Sequence, residues 1–325
     1  MARYLLTGAA GFIGAQVARH LLDLGSIVVG IDNINDSYDP RLKEWRLDQF
    51  QNDDRFTFKR INIAKRDELE SAFSDDDYDG VINLAARAGV RQSVSDPWVY
   101  YETNVIGALN LLDACRSRSI PKFVQASTSS LYGLHNSSPY KEDADTSRPL
   151  SPYAASKGAA ETLCHSYHYL HGMDITVLRY FTVFGPAGRP DMSIFRFIQW
   201  IFEGRPLVLY GDGRQERDFT FVDDIARGTV AALRPLGFEV INLGGDRPVK
   251  MMDVISMIEE RLGKSAEIDQ RQTAPADMPS TWADIHKAQR LLDWRPDVSL
   301  EAGLEAAISW YLQERDWAES IPTTD

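Results

Sequence analysis

The chain has 325 residues, with 35 Lys and Arg against 47 Asp and Glu, and a formal net charge of −12. That balance excludes a basic nucleic-acid surface, and no apolar stretch approaches the ~20 residues needed to cross a bilayer. Cys115 and Cys164 both fall in helical patterns, which argues for reduced thiols rather than a disulfide framework. A cytoplasmic protein with material for a large core and more than one lobe is expected.

The chain opens with an apolar strand from Tyr4 that runs into Gly8, Gly11 and Gly14, then an apolar-periodic helix from Phe12 to about Leu24. Gln16, Arg19 and His20 interrupt the apolar run, and no basic region precedes it, so a strand and helix are expected rather than a signal peptide. Strand, glycines and helix in this order form a dinucleotide fingerprint: Gly8 for the tight turn, Gly11 for backbone approach to a pyrophosphate, Gly14 for helix packing. The glycines are spaced by 3 and 3 rather than the usual 2 and 3. A second strand from Ile27 to Ile31 ends at Asp32, whose carboxylate accepts ribose hydroxyls and repels a 2′-phosphate, favouring NAD over NADP.

Further strands are predicted at Phe56 to Ile61, Gly80 to Asn83, Lys122 to Ala126 and Ile175 to Leu178. Helices are predicted at Asp67 to Phe73, Trp98 to Arg116 and Tyr153 to His171. The alternation implies parallel βαβ units: an α/β fold with a Rossmann-type doubly wound parallel sheet and a smaller α/β C-terminal lobe. Gly8, Asp32, Ala85 and Thr128 all fall at strand ends, where such sheets gather their sites. After Arg179 the elements shorten, punctuated by Gly185 to Pro190 and Tyr210 to Gly213. The expected division is residues 1–180 for the nucleotide unit and 181–325 for the second lobe. Segments near 219–245, including Phe219 to Gly228 and Val240 to Leu243, are expected to return to the first unit. His165, His168 and His171 recur every three residues on one helix; without i, i+4 spacing and a carboxylate, they read as a solvent or interface stripe, and no metal site is expected.

Tyr153 and Lys157 stand one helical turn apart, 25 residues beyond Thr128. A phenol is a poor base at neutral pH, but a neighbouring ammonium and a cofactor cation would stabilise its anion and let it take a hydroxyl proton, with Thr128 sharing that proton. Arg91, Arg189, Arg217, Arg87 and Arg271 are the cations that would draw an anionic substrate against the global negative field.

Together, the glycine spacing, Asp32, Asn83 to Ala86, Thr128, Tyr153 and Lys157 resemble the extended short-chain dehydrogenase/reductase superfamily of nucleotide-sugar epimerases and dehydratases. The resemblance covers essentially the whole chain. It implies NAD bound by Gly8, Gly11, Phe12, Ile13, Gly14, Asp32, Asn33, Asn62, Ile63, Leu84, Ala85, Ala86 and Asn104, with Tyr153 and Lys157 also touching it. It also implies oxidation at C4 of a UDP-sugar, and a homodimer formed through a bundle of the two long helices. Dehydratases of this kind carry an Asp-Glu pair after the threonine; here stand Ser129 and Ser130, which disfavours dehydration.

Arg179 to Asp191, Asp32 to Asp36 and Ala88 to Arg91 resemble UDP-glucuronate 4-epimerases. The resemblance places Arg91, Ser127, Ser129, Thr182, Arg189, Arg217 and Asp277 around the substrate, with hydroxyls of Thr182, Ser127 and Ser129 offered to the C6 carboxylate. Arg217 is implied at the diphosphate and Asp277 at the uridine ribose. Three positions depart from the pattern: Arg87 replaces a glutamine, Asn62 an adenine-contacting aspartate, and Ala274 a phosphate-binding arginine. The alternatives are a 4-epimerase of a neutral UDP-hexose or UDP-N-acetylhexosamine, a UDP-glucuronate decarboxylase, and a catalytically idle NAD-binding scaffold.

Overall fold

The computed structural model describes residues 1–73, 77–273 and 277–323. Among these, twelve strands form three sheets. The strands are β1 (Arg3–Thr7), β2 (Ile27–Asp32), β3 (Phe56–Arg60), β4 (Gly80–Asn83), β5 (Lys122–Thr128), β6 (Asp174–Tyr180), β7 (Thr182–Phe184), β8 (Leu207–Tyr210), β9 (Glu216–Phe221), β10 (Phe238–Leu243), β11 (Pro248–Lys250) and β12 (Ile268–Arg271). The central sheet has the order β10-β6-β5-β4-β1-β2-β3, all pairs parallel. The chain winds outward in both directions from β1, leaving a switch point between β1 and β4, where a doubly wound sheet opens its ligand crevice. β11, β9 and β7 form a second sheet, and β12 pairs with β8.

Burial explains these assignments. Every residue of β4 and β5 is buried, as expected of strands covered on both faces. The helix Phe12–Asp23 buries Val17, Ala18, Leu21 and Leu22 and packs against the helix Val222–Ala231. That second helix and β10 come from late in the sequence, yet Val222, Ile225, Ile241 and Leu243 share one core with Leu6, Val17 and Ile82. A separate core gathers Phe195, Ile198, Leu207, Val254, Ile255, Leu304 and Ile308. Pro152–His171 is the longest helix; the Ser151 hydroxyl caps it by accepting from Ala154 N at 3.2 Å, Pro152 occupies its first turn, and left-handed Gly172 ends it.

Three local expectations are corrected. The helix predicted from Trp98 to Arg116 is broken into Trp98–Tyr101, a π turn at Glu102–Ile106, and Gly107–Ser117. The π turn holds the buried Asn104, whose three hydrogen bonds are described below, and a widened turn is a recurrent device for such a residue. The helix predicted from Asp67 to Phe73 runs only from Arg66 to Glu70. A helix at Arg41–Asp48 was not predicted, because its buried residues are Leu42, Lys43 and Arg46, which leave no apolar stripe to read.

Cys115 and Cys164 are buried and free. His168 Nδ1 pairs with the Met173 carbonyl at 2.8 Å, and no cluster that could hold a metal occurs among the described residues. No described helix is long and apolar enough to cross a membrane.

Candidate active site

Gly8 follows β1 at φ +70°, its N–H donating to Ile31 O at 2.8 Å; a Cβ there would meet Ala85 N at 2.8 Å. At Gly14 a Cβ would stand 2.0 Å from Gly8 O, so the helix can approach the turn only without a side chain. No side chain caps the helix at Gly11 and no acid sits in its first turn. The Gly11 N–H closes the turn on Gly8 O at 2.9 Å, while Phe12, Ile13 and Gly14 present unsatisfied N–H groups and a positive helix end to the cleft they line, a cradle that fits a diphosphate. Asp32 ends β2 and also lines the cleft, one carboxylate oxygen accepting Ile34 N at 2.8 Å.

Asn33, Asn62, Ile63, Leu84, Ala85 and Ala86 complete this half. The Asn62 amide oxygen is occupied by Ala64 N at 3.0 Å, so its NH2 is the group left to a ligand. Asn104 is placed differently from the expectation: it lies behind the wall. Its Oδ1 accepts Arg87 N at 2.9 Å, and its Nδ2 donates to Arg87 O at 3.0 Å and Ser156 Oγ at 2.9 Å. With its amide saturated it positions residues rather than touching a ligand.

The other end of the cleft lies where β5 meets the helix Pro152–His171. Thr128, Ser129, Ser130, Tyr153 and Lys157 line the cleft there. Burial pushes the half-buried Tyr153 phenol above its ordinary pKa, against a hydrogen bond from Thr128 and the field of Arg189, which pull it down. Lys157 is 3 % exposed, donates to Ala126 O at 2.9 Å, and is pulled by burial to about 8, with Glu161 opposing. The ammonium is thus anchored on a carbonyl, and in the protein alone the influences favouring the tyrosinate come from Thr128 and Arg189. The Ser127 hydroxyl donates to Glu161, which also takes both arms of Arg179 at 3.0 and 2.8 Å. Its proton is therefore committed, and Ser127 meets a ligand as an acceptor.

Beyond this point the cleft, a cavity of about 460 Å³, continues past Thr182, Arg189, Arg217 and Asp277. Arg189 pairs with Asp191 and reaches Ala88 O at 3.4 Å. Arg217 donates to Glu216 O at 2.7 Å, and burial lowers its pKa, opposed by Asp277. Thr182, Met192, Arg217, Asp277 and Met278 are shared with a second cavity of about 930 Å³. Arg91 lies on that second cavity, paired with Asp277 and stacked 3.6 Å over Tyr210. Arg271 borders it too and pairs with Asp269. Ala274 lies outside the described residues.

Sequence reasoning missed the contribution of the helix Arg41–Asp48. Lys43 lines the cleft, bonded to Asn35 O at 2.7 Å and Oδ1 at 2.9 Å, and burial pulls its pKa down to about 8. Arg46 ties Ala10 O at 3.2 Å to Ala187 O at 2.7 Å, joining the glycine turn to the loop that carries Arg189. Spacing of three between two cations was the available signal, but nothing in the sequence says that they are buried.

A doubly wound parallel sheet with this glycine turn, and a Thr-Tyr-Lys set beside it, defines a dinucleotide-binding protein of the short-chain dehydrogenase/reductase type. The chain belongs to the NAD dependent epimerase/dehydratase family, whose model matches residues 4–244. It is 49 % identical over 322 residues to a UDP-glucuronate 4-epimerase of Thermodesulfobacterium geofontis, covering 99 % of both chains. Among solved structures, a UDP-glucuronic acid 4-epimerase from Bacillus cereus in complex with UDP-glucuronic acid and NAD is 41 % identical, with a TM-score of 0.90, covering 96 % of this chain and 99 % of that one. A UDP-glucose 4-epimerase from Thermotoga maritima with UDP-glucose is 29 % identical at a TM-score of 0.89, again covering 96 % and 99 %.

Proposed function

We propose that the protein is an NAD-dependent UDP-glucuronate 4-epimerase that interconverts UDP-glucuronate and UDP-galacturonate through a 4-keto intermediate. The observation that carries the reading is the junction at Tyr153: a dinucleotide cradle on one side, an arginine-bordered cavity on the other. The 49 % identity to a UDP-glucuronate 4-epimerase over the whole chain supports the sugar assignment.

NAD, when bound, supplies the acceptor and donor of the C4 hydride. Tyr153 takes the O4 proton and returns it, with Thr128 hydrogen-bonded to the phenol to share the charge that develops. Lys157, buried and held on Ala126 O, keeps a positive charge next to that chemistry below about pH 8. Thr182 and Ser129 offer neutral donors to the C6 carboxylate, with Ser127 beside them as an acceptor. Neutral contacts hold the carboxylate without aligning it for loss as carbon dioxide, and Ser129 and Ser130 lack the acidity needed to eliminate water. Arg217 and Asp277 hold the UDP moiety across the two cavities, with Arg91 fixing Asp277, while the ketone turns over.

Residues 1–180, with returning segments near 219–245, form the NAD-binding unit in this reading, and residues 181–325 the sugar-nucleotide lobe. Two copies pair through the helices ending at Ser117 and His171; Trp98, Tyr101 and Ile106 stand exposed on the two short turns that lead into the first. The free cysteines accord with a cytoplasmic setting.

The test is to incubate purified protein with UDP-glucuronate or UDP-glucose without added NAD. UDP-galacturonate is the expected product. Conversion of UDP-glucose alone would point to a neutral-sugar epimerase, and release of carbon dioxide with a pentose product to a decarboxylase.

A further inference from the structure

We infer that Arg87 is an electrostatic latch on the diphosphate of the bound dinucleotide, holding the cofactor in place while the sugar ketone turns over. The inference rests on the NAD-binding reading above and concerns the residue that replaces a glutamine in the related pattern. Arg87 lines the cleft, and among the described residues its guanidinium has no hydrogen bond or ion pair. In a chain with 47 acidic residues, a half-buried arginine without a carboxylate partner is out of the ordinary.

Two further cations without a carboxylate partner are nearby, Lys43 on the same wall and Arg46 behind it. Lys43, 4 % exposed, is hydrogen-bonded only to oxygens of Asn35. Arg46, 2 % exposed, is bonded to backbone carbonyls and the Tyr38 hydroxyl. Burial lowers the Lys43 pKa; Asp32 and Asp36 oppose the shift, and the fields of Arg46 and Arg87 add to it. Uncompensated positive charge in a cleft costs free energy until an anion arrives.

Position identifies the anion. The Arg87 charge acts on Lys43, which sits by Asp32 at the adenosine-ribose end. It acts as well on the Tyr100 phenol, whose ring stands 6.1 Å from that of Tyr153. Arg87 therefore lines the cleft within electrostatic reach of both ends, and a dinucleotide spanning them would seat its diphosphate at the uncapped helix that starts at Phe12. Its backbone is fixed in advance: Asn104 takes both its N–H and its carbonyl and is bonded to Ser156 on the helix that carries Tyr153. With the backbone held, only the side-chain torsions are left to order on binding, and the planar fork matches phosphate oxygens.

The experiment compares wild type, Arg87→Gln and Arg87→Lys, measuring the rate at which bound NAD leaves at 50 to 500 mM salt, and KM for UDP-glucuronate at saturating NAD. Arg87→Gln is expected to release NAD on the order of tenfold faster, with a shallower salt dependence, while sugar KM stays put. Arg87→Lys should fall between the two, since it keeps the charge and loses the fork. NAD release by Arg87→Gln at the wild-type rate and salt dependence would overturn the inference, as would a rise in sugar KM without a change in NAD release. A wild-type protein that neither carries nor binds NAD would remove the functional reading itself, a result visible before any variant is made.

Discussion

Replacing Glu161 by glutamine should move the alkaline limit of activity to lower pH. Glu161 stands one helical turn beyond Lys157, accepts the Ser127 proton, and pairs with both arms of Arg179. Burial is what pulls the Lys157 pKa to about 8, and Glu161 is the first charge that opposes it. The glutamine loses that attraction and leaves Arg179 as a buried cation without its partner, so both changes disfavour the ammonium. Unit charges about 6 Å apart at an effective dielectric constant near 20 interact by about 2–3 kcal/mol. At about 1.4 kcal/mol per pKa unit, the Lys157 pKa should fall by about 1.5–2 units.

The ammonium is populated below its folded pKa, so activity that needs it is full at acid pH and lost as pH rises through that value. The wild-type limb should lie near 8 and the variant's at about 6 to 6.5. Stability runs the other way: the folded state disfavours the ammonium, a cost full below about 8 and relieved as pH rises towards the ordinary lysine value of 10.5. The assay is kcat/KM for UDP-glucuronate from pH 6 to 10, with Glu161→Asp as the variant that keeps the charge and near-UV circular dichroism to verify packing. A folded Glu161→Gln enzyme whose alkaline limb stays at the wild-type pH, or moves up, would refute the reasoning.

Tyr153→Phe removes the group that exchanges the O4 proton in the proposed mechanism, so turnover should fall by about 10²–10⁴-fold while NAD content after purification is unchanged. Gly14→Ala forces a Cβ to 2.0 Å from Gly8 O; the purified variant should lose bound NAD and melt several degrees lower, as measured by absorbance and differential scanning calorimetry. Asp32→Ala removes the carboxylate at the end of β2, so the ratio of NADP to NAD dissociation constants, read by calorimetric titration, should drop by about tenfold or more.

The sequence alone determined the sheet, the turn and the pairing of Tyr153 with Lys157, because those signals are local. Alternating strands and helices identify a parallel α/β fold, and glycines at 8, 11 and 14 mark a backbone that tolerates no Cβ. Tyr153 and Lys157 share a face by helical spacing alone. Tertiary structure decided what those groups feel. The Lys157 ammonium is held by Ala126 O, 31 residues earlier in the chain, and the Ser127 proton is taken by Glu161, 34 residues later. Asn104 sits behind the cleft because a π turn, invisible to a 3.6-residue period, turns it onto Arg87 and Ser156. The helix Arg41–Asp48 escaped notice since what it buries is charge. A repeating pattern shows which face of an element is apolar, whereas desolvation and pairing depend on distant segments that only the folded chain brings into contact.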